Sequence, residues 1–178
     1  MHSSKRTMVI INVFGGIAVL GSYAHGILTT PEAGAVLWGG VPETLRPLYT
    51  NSMLSATAGY FAFTGFLLFA VNADRDRIAG RYGFGLINTL YAVILIASAL
   101  WMPLTLATVS SGSEALWIAT RAVLAATAMG TLGLLGSVLL LDRRTPRLGY
   151  VLAVIGLLAF ATQTVALDAL VWPAYFRG

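Results

Sequence analysis

Five stretches of this chain, each about twenty residues and predominantly apolar, limit the folds open to it. They run from Met8 to Leu28, Met53 to Val71, Phe84 to Ala107, Leu116 to Leu141 and Leu148 to Val171. A hydrocarbon core about 30 Å thick is crossed by roughly 20 helical residues at about 1.5 Å each. Inside it, unpaired backbone groups are so costly that only helices and closed barrels can span. These runs lack the strict alternation of barrel strands. The expected fold is therefore an all-α integral membrane protein, a five-transmembrane-helix bundle forming one domain over residues 1–178.

Composition supports the same reading. Of the 178 residues, 10% are charged and 57% are hydrophobic, against about 25% charged in soluble domains. Too little charge is present to clothe a water-facing surface, which excludes a soluble enzyme, a disordered chain and a nucleic-acid-binding module. The net charge of +4 comes from short basic clusters between the apolar runs, not from a stripe suited to phosphates. No cysteine is present, so disulfides, thiol chemistry and cysteine-ligated metal centres are excluded.

Lys and Arg set the expected orientation. With five spans, Lys5, Arg6, Arg75, Arg77, Arg81, Arg143, Arg144 and Arg147 fall on one side, opposed by Arg46 and Arg177. That asymmetry predicts N-in, C-out threading in a plasma (inner) membrane, with the N-terminus cytoplasmic. A competing reading takes Lys5-Arg6, the first apolar run and Ser22-Tyr23-Ala24 as a secretory signal cleaved before His25. Its length, Asn12 and the Gly15-Gly16 pair fit a packed helix better. The segment 29–52, with Trp38, Pro31, Pro42 and Pro47, is expected as an outer loop folded over the mouth of the bundle, because long loops in compact proteins are usually lids or binding elements.

On this threading Trp38, Trp101, Trp117 and Trp172 all fall in the outer half, whereas interfacial tryptophans ordinarily occupy both faces. The lopsidedness points to an aromatic-walled pocket for a flat apolar ligand; simple interfacial anchoring is the alternative. Arg121 lies roughly 8 Å inside the fourth run, and Asp168 lies at similar depth in the fifth. Charges within a span tend to pair or snorkel, so an Arg121–Asp168 contact is expected, with snorkelling of Arg121 as the alternative. Pro103, just after Trp101, removes a backbone hydrogen bond and should open space beside it.

His25 is the sole histidine within a run. Ligation of haem by two histidines of one chain, or of zinc by several, is excluded. A single axial ligand, or a hydrogen bond to Glu32 or Glu43, remains open. Asn12, Asn88 and Gln163 read as interhelical hydrogen-bonding groups, and the small residues Ala122, Ala126, Gly130, Gly133 and Ser137 as a close-contact face within the bundle or in a homodimer. No nucleophile–base set or nucleotide motif is visible. The central and inner thirds of the spans carry no ionisable relay, which disfavours a pump or channel.

Leu100-Trp101-Met102-Pro103, near the end of the third run, resembles the Trp-x-Pro element of the TspO family, the tryptophan-rich sensory proteins that include the translocator proteins. Five spans and a long first loop carrying Trp38 to Pro47 add to the resemblance. Ser98 stands where that family has Asn, the loop lacks its Trp-x-Pro-Pro cluster, and the fifth run lacks its aromatic Pro-Tyr start. The resemblance implies a bundle, often dimeric, that binds tetrapyrroles such as haem, or sterol-like molecules, under the first loop. Trp101 would then line the pocket and Trp38 would belong to the lid.

The expected function is binding of a hydrophobic or amphipathic small molecule in the outer half, in a sensory or carrier role; a membrane enzyme acting on lipid is disfavoured, because acid, base and nucleophile cannot be assembled. Candidate ligand-binding residues are His25, Trp38, Trp101, Pro103, Trp117, Arg121 and Asp168. Membrane lipid and a homodimer partner are the other expected contacts; nucleic acid is not. The alternative is a non-catalytic accessory subunit of a larger membrane complex.

Overall fold

The computed structural model describes residues 3–176; His2 and Arg177, which entered the charge and histidine reading above, lie outside them. Within the described residues the chain is helical: α1 (Ser3–Thr29), α2 (Ala33–Trp38), α3 (Arg46–Gly65), α4 (Gly85–Ser111), α5 (Glu114–Leu139), α6 (Arg147–Ala161) and α7 (Trp172–Phe176). Two segments wind as π-helix: Phe66–Ala70 continues α3, and Thr162–Val171 joins α6 to α7. Five continuous helices are thus long and apolar enough to cross a membrane.

The second of these begins earlier than its apolar run suggests, at Arg46 instead of Met53. Pro47 sits in its first turn, where a missing N–H costs nothing. The connection from 29 to 52 is correspondingly shorter than expected and contains α2. Entry to α5 is set by Ser113, whose hydroxyl accepts from the Leu116 amide.

The largest interfaces pair α4 with α5, α3 with α6 and α1 with α4; α5 joins the halves by packing on α6 and its π continuation. Small residues set the spacing. Gly59 of α3 and Gly156 of α6 meet backbone to backbone, and a Cβ on Gly156 would lie 2.7 Å from the Gly59 carbonyl oxygen. Gly130 and Gly133 of α5 receive Ile94 and Leu90 of α4, so the lower part of the small-residue stripe is used inside the bundle. Ala122, at its upper end, is exposed.

One end of the bundle is basic. Lys5 Nζ donates to the Leu68 carbonyl at 2.7 Å, and Asn88 Nδ2 to the Ser4 carbonyl at 3.0 Å. The connections after the π continuation of α3 and after α5 are laced together by Ala79 N–H to Leu140 O at 2.8 Å and Asp142 N–H to Arg77 O at 3.1 Å. The three segments that carry the eight clustered cations therefore share an end. A core of Tyr60, Phe63, Tyr91 and Phe160 rings stands above it, each in contact with at least one other. Around the outside, apolar side chains are bare: Phe69 is 87% exposed and Leu28 84%. Hydrocarbon, not water, suits such a surface.

Candidate functional site at the tryptophan end

The opposite end is built around Trp172. The π winding of Thr162–Val171 delivers it to the bundle axis, where it is 4% exposed. Its ring stacks on Phe176 at 4.2 Å and meets Trp101 at 5.8 Å and Trp117 at 6.1 Å. Its Nε1–H donates to the Leu37 carbonyl at 2.9 Å, fastening α2 over the end of the bundle. Trp101 meets Tyr23 of α1 at 5.7 Å, and Trp38 meets Tyr49 of α3 at the same separation. Trp101, Trp117 and Trp172 thus form one set of touching rings with Tyr23 and Phe176, and the Trp38–Tyr49 pair packs into the same apolar cluster; Tyr23, Tyr49 and Phe176 are three rings that the tryptophan count could not reveal. Their positions near run ends were the available signal.

These rings touch one another, and neither of the two clefts that flank them runs between them. Where a pocket walled by Trp101 and Trp117 is expected, both rings make contact with Trp172, and Trp117 also stacks on Phe176. Open space lies to the side. A cleft of about 390 Å³ runs between α1 and α4 beneath α2, lined in part by His25, Gly26, Thr29, Val36, Pro103 and Leu106. A second, of about 380 Å³, opens between α2, the end of α4 and Phe176. Two of the seven candidate residues, His25 and Pro103, therefore line the larger cleft. Trp38, Trp101, Trp117, Arg121 and Asp168 line neither.

The Arg121–Asp168 contact does not form. Arg121 sits on the exposed flank of α5, beside Ile118 and Ala125, while Trp117, Thr120 and Leu124 face inward. Asp168 instead accepts from Gln163 Nε2 at 2.7 Å. Among the described residues no ion pair reaches Asp168. Glu43 pairs with Arg46 at 3.7 Å, and the guanidinium of Arg46 lies 5.8 Å from the Trp38 ring centre. No bond joins His25 to Glu32 or Glu43 within the described residues; its imidazole is exposed at the cleft.

Of the polar groups that the sequence marked as interhelical, Asn12 accepts from Tyr60 of α3 and Asn88 donates to the Ser4 carbonyl of α1, whereas Gln163 bonds within its own span; the Thr64 and Tyr91 hydroxyls also meet between helices, at 2.7 Å. Near Asp168 the accounting is less complete. Gln163 is 5% exposed, and its Oε1 has no hydrogen-bond partner; the buried Nε1 of Trp101 also lacks one. Comparison with family profiles, curated proteins and solved structures returns no match for this chain.

Proposed function

We propose that this is a multi-pass plasma-membrane protein, threaded with its basic end in the cytoplasm and its tryptophan end outside, that binds an amphipathic small molecule in the cleft between α1 and α4. The observation that carries the reading is the cleft itself, about 390 Å³ with an apolar floor and the polar rim of Ser22, His25, Thr29 and Ser110. Its volume falls in the lower part of the range of ligand sites, and the mixture of apolar wall with a few polar groups is typical of them. Sterol-like and tetrapyrrole-like molecules are the proposed class. For a metal tetrapyrrole, the exposed imidazole of His25 supplies a nitrogen ligand at the rim. Sensing or carriage would follow from α2, which overhangs both clefts through Val36.

Native mass spectrometry after extraction in mild detergent tests this. A small molecule should remain bound to the wild type and to Arg121→Gln, and be lost from Ala107→Trp, whose indole would occupy the cleft. A species retained equally by Ala107→Trp, or no bound species at all, would defeat the reading.

The closed packing of the tryptophans favours a second reading, an accessory subunit of a larger membrane complex. On α1, Phe14, Ile17 and Leu20 are 63–71% exposed, a face on which another helix could sit. The same spectra would then show a stoichiometric polypeptide in place of a small molecule.

A further inference from the structure

Asp168 is a partly exposed carboxyl group within a candidate span, four residues before Trp172. Such groups are costly in a bilayer and mark function when no counter-ion neutralises them. Its neighbour Gln163 stands five residues earlier. In an α-helix five residues rotate by about 500°, leaving the two side chains about 140° apart. The π-helix of Thr162–Val171 hydrogen-bonds from i to i+5 and so brings residues five apart onto one face. The rare winding is what creates the 2.7 Å contact.

That contact has a direction. Gln163 Nε2–H donates and Asp168 Oδ1 accepts, the arrangement suited to an ionised carboxylate, while Gln163 Oε1 is left buried with no partner. We propose that Asp168 is a proton-binding site and that Gln163 registers whether the proton is there. A proton arriving from water at the tryptophan end forms an O–H bond on Asp168 Oδ1, turning the oxygen that accepted from Gln163 into a donor. A half-turn of the Gln163 amide then presents Oε1 to that hydroxyl, and Nε2 takes the place that Oε1 held. No electron moves, and loss of the proton reverses the turn.

The titratable groups around the site are distinct from it. Tyr23 of α1 and Tyr49 of α3 lie within electrostatic reach of the carboxyl, and Tyr49 donates to the Leu167 carbonyl next to it at 3.2 Å. Tyr175 of α7 lies within reach of Tyr49. From α5, Arg121 and Glu114 are exposed, and from α1, His25 is exposed at the cleft; α4 contributes Trp101, which does not titrate. The site does not depend on the α1–α4 cleft.

Infrared difference spectra between acidic and alkaline buffer, on the full chain in lipid nanodiscs, test the proposal. A carboxylic-acid carbonyl band at the high frequency of a poorly hydrated group, resolved from that of water-exposed carboxyls, should appear with acid in the wild type, shift on carboxyl-¹³C labelling of aspartate, and vanish in Asp168→Asn. Labelling addresses the unmutated protein, and Asp74, Asp76 and Asp142, in the connections at the basic end, should absorb at the lower frequency of hydrated carboxyls, so a poorly folding variant does not remove the test. Gln163→Leu should keep the band but move its frequency and its titration midpoint. Tryptophan fluorescence should titrate with the same midpoint in the wild type and stay flat in Asp168→Asn. No labelled band, a band that survives Asp168→Asn, or one that Gln163→Leu leaves unchanged would overturn it. Loss of the bound molecule in Ala107→Trp with the band intact would separate this site from the cleft.

Discussion

The two ends of the bundle solve the same packing problem differently. At the basic end, Tyr and Phe rings interlock, Tyr60 and Tyr91 place their hydroxyls on Asn12 and Thr64, and two connections are laced by backbone hydrogen bonds. One buried acceptor there, Asn88 Oδ1, is left without a partner. At the tryptophan end, the rings are larger, the π winding runs for 10 residues against 5 in Phe66–Ala70 at the basic end, two clefts flank the cluster, and Gln163 Oε1, Trp101 Nε1 and Arg46 Nε are unpartnered. Unmet hydrogen bonds and irregular winding are tolerated where a protein needs a polar group to change state. On the proposal made for Asp168, the tryptophan end is the one that responds.

Breaking the hub should show the contrast most strongly. Trp172→Ala removes the ring joining Trp101, Trp117 and Phe176 and the bond that fastens α2. By analogy with large-to-small core changes it should cost about 3–5 kcal/mol. Thermal unfolding in detergent should register the loss, and protease cleavage between α1 and α3 should quicken. If stability falls while cleavage there does not change, the ring is core only and the overhanging α2 is held by something else.

Gly156→Ala comes next. Its methyl group meets the Gly59 backbone, which cannot yield as a side-chain tip can, and overpacking of this kind costs about 1–3 kcal/mol. The effect should appear as lower thermal stability with the titration of Asp168 unaltered, since the contact lies in the α3–α6 seam. Movement of both together would mean that the two ends are one mechanical unit.

Smallest is Tyr60→Phe, which deletes a single hydroxyl bond between α3 and α1. Interhelical hydrogen bonds in membranes average about 0.6 kcal/mol. A shift in unfolding midpoint of that size, measured in detergent, would fit an end held by many modest contacts; a loss several times larger would single out Asn12 as a keystone.

Helix number was legible because bilayer thickness converts directly into run length, and the ends could be told apart because arginine clusters and tryptophans do not mix along the chain. Placement of individual side chains was not. Arg121 and Asp168 stand at similar depth on consecutive spans, which made a pair look natural. Depth is a property of sequence position, but facing is a property of rotation about the axis, and α5 turns Arg121 to its flank. Space beside Pro103 was expected from its missing N–H, but its position between α1 and α4 was not, since composition says which residues gather and not on which side they leave room.

Sequence alone determined five apolar helices, their charged end and their aromatic end, because those depend on local length and composition. Tertiary structure decided that the tryptophans close on one another, that Gly59 and Gly156 bring two backbones into contact, and that Gln163 reaches Asp168. Each of these rests on the phase of one helix relative to another, or on a change of winding that shifts that phase. A pattern read along a single chain carries no record of it.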